Sequence, residues 1–181
     1  HSISRATVAV LVIDAHEGVV EQDLSLAGLA LAAGRSLLIA VNKWDKLDST
    51  QKKQVKTELD RRLRFASFSE IRFLSALVGT GVKPLFSSIN DLWKAATTSL
   101  KTPELTRLLQ QAAEQHQPPL IKGRRIKLRF AHMGGKAPPT IVIHGNQVGR
   151  VPSSYRRYLE NYFRKSLNLV GTPIEIEFRQ A

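Results

Sequence analysis

Two short apolar runs, each ending on a polar residue and each followed by a stretch of helical spacing, limit what the first half of this chain can become. Thr7 to Ile13 (TVAVLVI) ends in Asp14, and Leu37 to Val41 (LLIAV) ends in Asn42. Runs of this length without polar alternation fit strands buried on both faces, as in a parallel sheet. Between them, after the Glu17-Gly18 turn, Val20, Leu24, Leu26, Ala27, Leu29, Ala30 and Leu31 recur at helical spacing until Gly34 stops the helix. A charged helix is expected from Thr50 to Ala66, with Val55, Leu59 and Leu63 on one stripe, and a third strand at Ile71 to Leu74. After Gly79-Thr80-Gly81, a last helix at Val82 to Ala96 has Leu85, Phe86, Ile89 and Trp93 as its expected buried stripe. Strands alternating with helices through short turns predict a doubly wound α/β sheet.

The pattern changes after Thr98-Ser99-Leu100-Lys101-Thr102-Pro103. Thr102 is placed to cap a helix with Pro103 at its first position, and that helix carries Leu105, Leu108, Leu109 and Ala112 before Pro118-Pro119. Next come an alternating basic strand at Arg124 to Phe130, a Gly134-Gly135 turn and a strand at Thr140 to His144. Ser153 or Ser154 is expected to start a helix with Tyr155, Leu159, Tyr162, Phe163 and Leu167 near one face, and Ile174 to Phe178 (IEIEF) alternates as a final strand. The order α-β-β-α-β describes a small α+β domain, so the chain divides into residues 1–97 and 98–181.

Charge follows the same division. Residues 1–97 hold 13 basic and 10 acidic side chains, and the remainder holds 14 and 5, so most of the net +12 belongs to the second region. A basic surface of this kind attracts polyanions, nucleic acid above all. With no cysteine, disulfides, thiolate metal sites and cysteine nucleophiles are excluded, and a reducing compartment is the simpler expectation. No apolar run approaches the roughly 18 residues that span a bilayer, and His1-Ser2-Ile3-Ser4-Arg5 has no signal-peptide layout, so a soluble cytoplasmic protein is expected.

Asn42-Lys43-Trp44-Asp45 follows the second buried strand, at the carboxyl end where open α/β sheets place ligands. It fits the guanine-reading pattern NKxD. Guanine offers its N1–H and exocyclic amine side by side, and one carboxylate, Asp45, accepts both; adenine has no such donor pair and would leave the charge unpaired. In this reading Asn42 ties neighbouring loops together and touches the base, while the Lys43 stem lies over the purine and ribose. Ser75-Ala76-Leu77 follows the next strand and fits a second guanine loop, in which the Ala76 N–H meets the base O6.

NKWD after LLIAV, SAL after the next strand, and the tail HQPPLIKGRRIKLRFAHMGGKAPPTIVIHGNQ (116–147) with YRRYLENYFRKSLNLVGTPIEIEF (155–178) resemble the Der family, also called EngA. These are bacterial GTPases with two tandem GTPase domains and a C-terminal KH-like domain. The resemblance implies that residues 1–97 are the latter part of the second GTPase domain and 98–181 the KH-like domain. It further implies binding of GTP and GDP with Mg²⁺, and action in assembly of the large ribosomal subunit, with rRNA and the family's other GTPase domains as partners.

The chain also departs from the family. No phosphate-cradling GxxxxGK[ST] occurs, and Asp14-Ala15-His16-Glu17-Gly18 has the wrong spacing for the γ-phosphate-sensing DxxG. The sequence as written is expected to be a fragment that cannot hydrolyse GTP by the family mechanism, with His1-Ser2-Ile3 as a remnant of the second switch. The KH-like region has no GXXG clamp. Lys122, Arg124, Arg125, Lys127, Arg129, Arg156, Arg157, Arg164 and Lys165 remain candidates for rRNA phosphates or for a domain interface. Alternation puts Arg125, Lys127 and Arg129 on one strand face. Helical spacing assigns Tyr155, Tyr158, Tyr162 and Phe163 to core packing rather than base stacking. His16, His116, His132 and His144 show no metal-ligand spacing and are expected to be structural or on the surface. Two functions therefore stand side by side: part of a GTPase of ribosome assembly, or a non-catalytic module that binds rRNA or the ribosome.

Overall fold

The computed structural model describes residues 3–121 and 123–181. It forms two compact units, His1–Ala95 with Val170–Pro173, and Ala96–Leu169 with Ile174–Ala181. The first runs β1 (Val8–Asp14), α1 (Glu21–Ala32), β2 (Ser36–Asn42), α2 (Ser49–Arg62), β3 (Glu70–Phe73) and α3 (Val82–Thr97). The strands form a parallel sheet in the order β1-β2-β3. In this register Asp14 lies beside Asn42 and Val41 beside Phe73, so three strand ends line up along one edge.

β2 is buried along its whole apolar length because it is central. Leu37, Ile39 and Val41 join Leu11 and Ile13 of β1, Ala27 and Ala30 of α1, and Val55 and Leu59 of α2 in one core. Leu38 and Ala40 on its other face are equally buried. The expectation that β1 is buried on both faces fails at Val10 and Val12, which are 38% and 59% exposed. They lie in register with Leu38 and Ala40, but β1 is an edge strand and the shielding of β2 does not extend to it.

The buried stripe of α3 also differs from the expected one. Ser88, Leu92 and Ala96 are buried, Leu85 and Ile89 are half-buried, and Phe86 and Trp93 are exposed. Each helical residue advances about 100°, which carries Phe86 and Trp93 together onto the adjoining face. Ser88 fixes the helix to β3, since its hydroxyl accepts from Arg72 Nε at 2.8 Å and donates to Glu70 Oε1 at 2.8 Å. Residues Val170–Pro173 complete this unit: Leu37 N–H donates to Gly171 O at 3.0 Å, and Gly171 N–H donates to Phe68 O at 2.9 Å.

The second unit contains α4 (Thr102–Gln115), β4 (Leu120–Ile121), β5 (Arg124–Arg125), β6 (Lys127–Gly135), β7 (Thr140–Asn146), α5 (Ser153–Ser166) and β8 (Glu175–Gln180). Its sheet has the order β6-β7-β8, with β6 antiparallel and β8 parallel to β7. Leu105, Leu109 and Ala112 of α4, Tyr155, Leu159 and Phe163 of α5, and Ala131, Ile141, Ile143 and Ile176 of the sheet are buried. The Tyr155 hydroxyl donates to His116 O at 2.7 Å and the Tyr158 hydroxyl to Ala112 O at 2.8 Å. Burial pushes the Tyr155 phenol up to about 12. These two phenols therefore tie α5 to the end of α4, in keeping with the packing role expected from their spacing.

Several local expectations in this unit need correction. The single strand expected at Arg124 to Phe130 is interrupted at Ile126, which is buried, and β5 pairs back on β4 as a small extra hairpin. β6 then bulges between Leu128 and Phe130 and runs through Gly134 and Gly135, so the turn falls at residues 136–139 instead. The bulge breaks the simple alternation expected of Arg125, Lys127 and Arg129. Helices α4 and α5 are capped by the backbones of Lys101 and Pro152, one residue ahead of Thr102 and Ser153, with no side-chain cap.

Candidate functional site

The aligned strand ends build the first candidate site. β2 ends at Asn42, and Lys43 turns the chain through a left-handed conformation, φ 63°, into the single tight turn Trp44–Lys46, which Leu47 anchors in the core. A non-glycine residue held in this region is strained and is found where surrounding bonds fix it. Those bonds are present. Asn42 Oδ1 accepts from the Lys43 N–H at 2.8 Å and from the Ala76 N–H at 2.9 Å, while the Trp44 N–H donates to Leu74 O at 3.1 Å. One carboxamide oxygen thus holds both candidate loops. The Trp44 ring lies 4.2 Å from that of Phe73, with Lys52 and Lys56 ammonium groups above it at 5.7 and 5.8 Å.

The Ala76 N–H, expected to meet a base O6, is engaged by Asn42 in this conformation. The reason is local: Asn42 ends β2 next to the loop that leaves β3, and its side chain reaches the first N–H after Ser75. Ser75 itself is buried, and its N–H donates to Thr80 O at 2.9 Å across a narrow loop. That closure needs Gly81, whose φ is 78° and where a Cβ would stand 2.6 Å from Phe73 O. Leu77 points outward, 87% exposed.

Asp45 is exposed, and the Ser75 hydroxyl hydrogen-bonded to it holds its carboxyl below the ordinary carboxylate value. The same Ser75 oxygen accepts from the Val78 N–H at 3.4 Å. Lys43 Nζ lies 2.5 Å from Asp14 Oδ2. Asp14 is lowered first by that hydrogen bond and then by the His16 N–H, and Lys43 is raised by Asp14. Sequence reasoning placed Asp14 at the end of a strand and set it aside as a wrongly spaced DxxG; its place beside Asn42-Lys43 follows from the β1–β2 register. The site is therefore an ionised carboxylate facing solvent between two loops, beside a lysine whose ammonium is positioned by a second carboxylate.

The second candidate surface is basic. Arg124, Arg125, Lys127 and Arg129 line an open groove of about 410 Å³ together with Asn146 and Gln147. Arg129 Nε donates to Asn146 Oδ1 at 2.9 Å. Asn146 and Gln147 went unnoticed in the sequence because only the β6–β7 register brings them there. Lys122 lies outside the described residues. The α5 cations do not join this groove. Arg156 hydrogen-bonds Ile176 O and lies 4.9 Å over the Phe178 ring; Arg164 is lowered by burial and donates to Asn161 Oδ1 at 2.8 Å. Arg157 and Lys165 are exposed.

The two units, a parallel α/β sheet with loops gathered at its carboxyl edge and a small α+β unit, each match a known family. Residues 1–95 match the family described as the elongation factor Tu GTP binding domain, and residues 100–179 match the KH-domain-like family of EngA bacterial GTPase enzymes, C-terminal. The chain is 56% identical over 180 residues to GTPase Der of Vibrio vulnificus (strain YJ016), covering 99% of this chain and 36% of that protein. It is likewise 56% identical over 179 residues to GTPase Der of Shewanella sp. (strain W3-18-1), with 99% and 37% covered. Among solved structures, a bacterial selenocysteine-specific elongation factor aligns with a TM-score of 0.47 at 28% identity, over 51% of this chain and 16% of that one. The chain belongs to the GTP-binding family of elongation factor Tu; its second unit matches the KH-like family of EngA GTPases, and along nearly all of its length it is similar to GTPase Der relatives, of whose own length it spans a little over a third.

Proposed function

We propose that the first unit is the base-reading part of a GTP- and GDP-binding site in a Der-type GTPase, and that the whole protein hydrolyses GTP while serving assembly of the large ribosomal subunit in the cytoplasm. One observation carries the reading: Asn42 Oδ1 joins the two loops while Asp45 stays ionised and open beside them. Guanine would present N1–H and its amine to Asp45, and Asn42 would fix the distance between the loops. Lys43, positioned by Asp14, would cover the purine and ribose with its stem. The Ser75 hydroxyl would orient Asp45, and Leu77, exposed on the same loop, would flank the base. For the Ala76 N–H to reach O6, it would have to share or leave Asn42.

Among the described residues no group of three or more His, Asp or Glu side chains converges on a metal position. Mg²⁺ would accompany the nucleotide phosphates in the whole protein. The nucleotide state would act as a switch, ordering loops when the γ-phosphate is present and releasing them after hydrolysis. The family's other GTPase domains and rRNA are the partners this reading expects.

The test compares GDP, inosine diphosphate and ADP on the intact protein. Inosine lacks the amine, so one of two charged hydrogen bonds to Asp45 is lost, at a cost of about 1.5–3 kcal/mol, or roughly 10- to 150-fold. The expected order is GDP, then inosine diphosphate, then ADP. Equal affinity for GDP and inosine diphosphate would remove Asp45 from the site.

A second reading has its own support in the basic groove: a module that grips rRNA phosphates through Arg124, Arg125, Lys127 and Arg129 without holding nucleotide. RNA binding that falls steeply with salt, in a chain that does not retain GDP, favours it.

A further inference from the structure

Two histidines on neighbouring strands of the second unit's sheet meet through their ring nitrogens. His132 is on β6 and His144 on β7, and they stand diagonally across the register, in which Phe130 pairs with His144 and His132 with Val142. His132 Nε2 lies 3.1 Å from His144 Nε2 with the ring centroids 5.2 Å apart, so each ring points its Nε2 at the other. His132 Nδ1 lies 3.1 Å from Met133 O. A carbonyl only accepts, so neutral His132 carries its proton on Nδ1 and holds a lone pair at Nε2, to which the His144 Nε2–H donates. An Nδ1–H bonded to a backbone carbonyl is also the outer contact that fixes the tautomer and the ring of a metal-ligating histidine.

The spacing fits an ion as well as a proton. A tetrahedral Zn²⁺ with bonds of about 2.05 Å to two imidazoles sets their nitrogens about 3.3 Å apart, against the 3.1 Å observed. Both rings are already braced, His132 by the Met133 carbonyl and His144 by the Phe130 ring, which lies face to face with it at 4.4 Å and 5° from parallel. Only a slight tilt and one change of tautomer are needed: the proton on His144 Nε2 passes through water to Nδ1 of the same ring, and the pair neither gains nor loses a proton. Both residues keep part of their surface in solvent. The cation in register with His144, Arg179 on β8, is paired with Glu177 at 3.0 Å, which offsets its charge.

We propose that His132 and His144 bind one transition-metal dication of the zinc type through their Nε2 atoms, with water in the remaining positions. Two nitrogen ligands select this class: imidazole suits zinc, nickel and copper, whereas magnesium and calcium take oxygen. The ion would replace the shared proton and clip β6 to β7. Because water holds the other positions, the site is exchangeable and differs from the closed four-ligand centres that hold small domains together. It is independent of both the guanine site and the basic groove.

The intact, nucleotide-free protein is titrated with Zn²⁺ by calorimetry in the presence of excess Mg²⁺, beside its His132→Gln and His144→Gln variants. Each substitution is expected to weaken one zinc site at least about tenfold, since even changes to outer contacts act on that scale at metal sites. His116→Gln, which alters a histidine packed on Tyr158 with centroids 5.2 Å apart, is expected to leave that site unchanged. Crystals of the unaltered protein soaked in Zn²⁺ are expected to show an anomalous peak about 2.1 Å from both Nε2 atoms, a readout that does not hang on the folding of a variant. Equal zinc affinity in all the proteins, loss with only one of the two substitutions, or an anomalous map without a peak between the imidazoles overturns the proposal. None of these outcomes touches guanine or RNA binding, so the readings of both other surfaces are tested separately.

Discussion

The two units hold their candidate surfaces in different ways. In the first, the site is made by backbone: strand ends in register, a left-handed Lys43, and one Asn42 oxygen that takes N–H groups from two loops. In the second, the surface consists of side chains standing on a bulged strand and its adjoining hairpin, with long cations around a groove and stacked rings that begin on the same strand. A site made by backbone loses its geometry when one hydrogen bond is removed, which suits discrimination between bases. A surface made of separate cations loses affinity in increments, one contact at a time, which suits a repetitive polyanion.

This contrast is sharpest at Asn42. Asn42→Ala leaves two N–H groups, those of Lys43 and Ala76, without their acceptor; both lie on exposed residues where water takes its place, so each lost bond costs about 0.5–1.5 kcal/mol. Chemical denaturation is expected to show that loss, with guanine selectivity lost at the same time. A variant of unchanged stability and selectivity would mean that the loops are held by something other than Asn42.

A smaller effect is expected from Asp14→Asn, which tests whether the Lys43 ammonium is held electrostatically. The Asp14 carboxyl is lowered in the folded protein by Lys43 and the His16 N–H. The folded state therefore binds its proton less readily than the unfolded chain. Its contribution is complete above the ordinary carboxylate range and is lost as the pH falls through the lowered folded value. Asp14→Asn is expected to weaken guanine-nucleotide binding at neutral pH and to flatten the acid side of the stability profile. An acid limb identical to that of the unaltered protein would exclude Asp14 from this role.

What the sequence disclosed follows the same division. TVAVLVI and LLIAV announced their strands because burial removes polar residues, and NKWD could be placed at a strand end because its position follows directly from LLIAV. Asp14 could not be paired with Lys43 on pattern alone, since the pairing depends on the register of two parallel strands whose partners, from Val8 with Ser36 to Asp14 with Asn42, lie 28 positions apart. Phe86 and Trp93 read as core because they are large and apolar, yet they sit beside the buried stripe of α3 rather than on it. In the second unit, the basic strand was visible but its interruption at Ile126 and the bulge after Leu128 were not, and these decide which cations share a groove. His132 and His144 are twelve residues apart on neighbouring strands, a separation with no signature in a linear pattern.

The central claim is that Asp45 reads guanine, and the most direct measurement is the affinity of the intact protein for GDP and xanthosine diphosphate before and after Asp45→Asn. The substitution replaces two acceptors by one acceptor and one donor, which matches xanthine, whose amine is replaced by a carbonyl. GDP affinity is expected to fall by about a hundredfold or more as two charged hydrogen bonds are lost, while xanthosine diphosphate binding rises. An unchanged preference for GDP would contradict the assignment of Asp45, and with it the reading of the first unit as a guanine site.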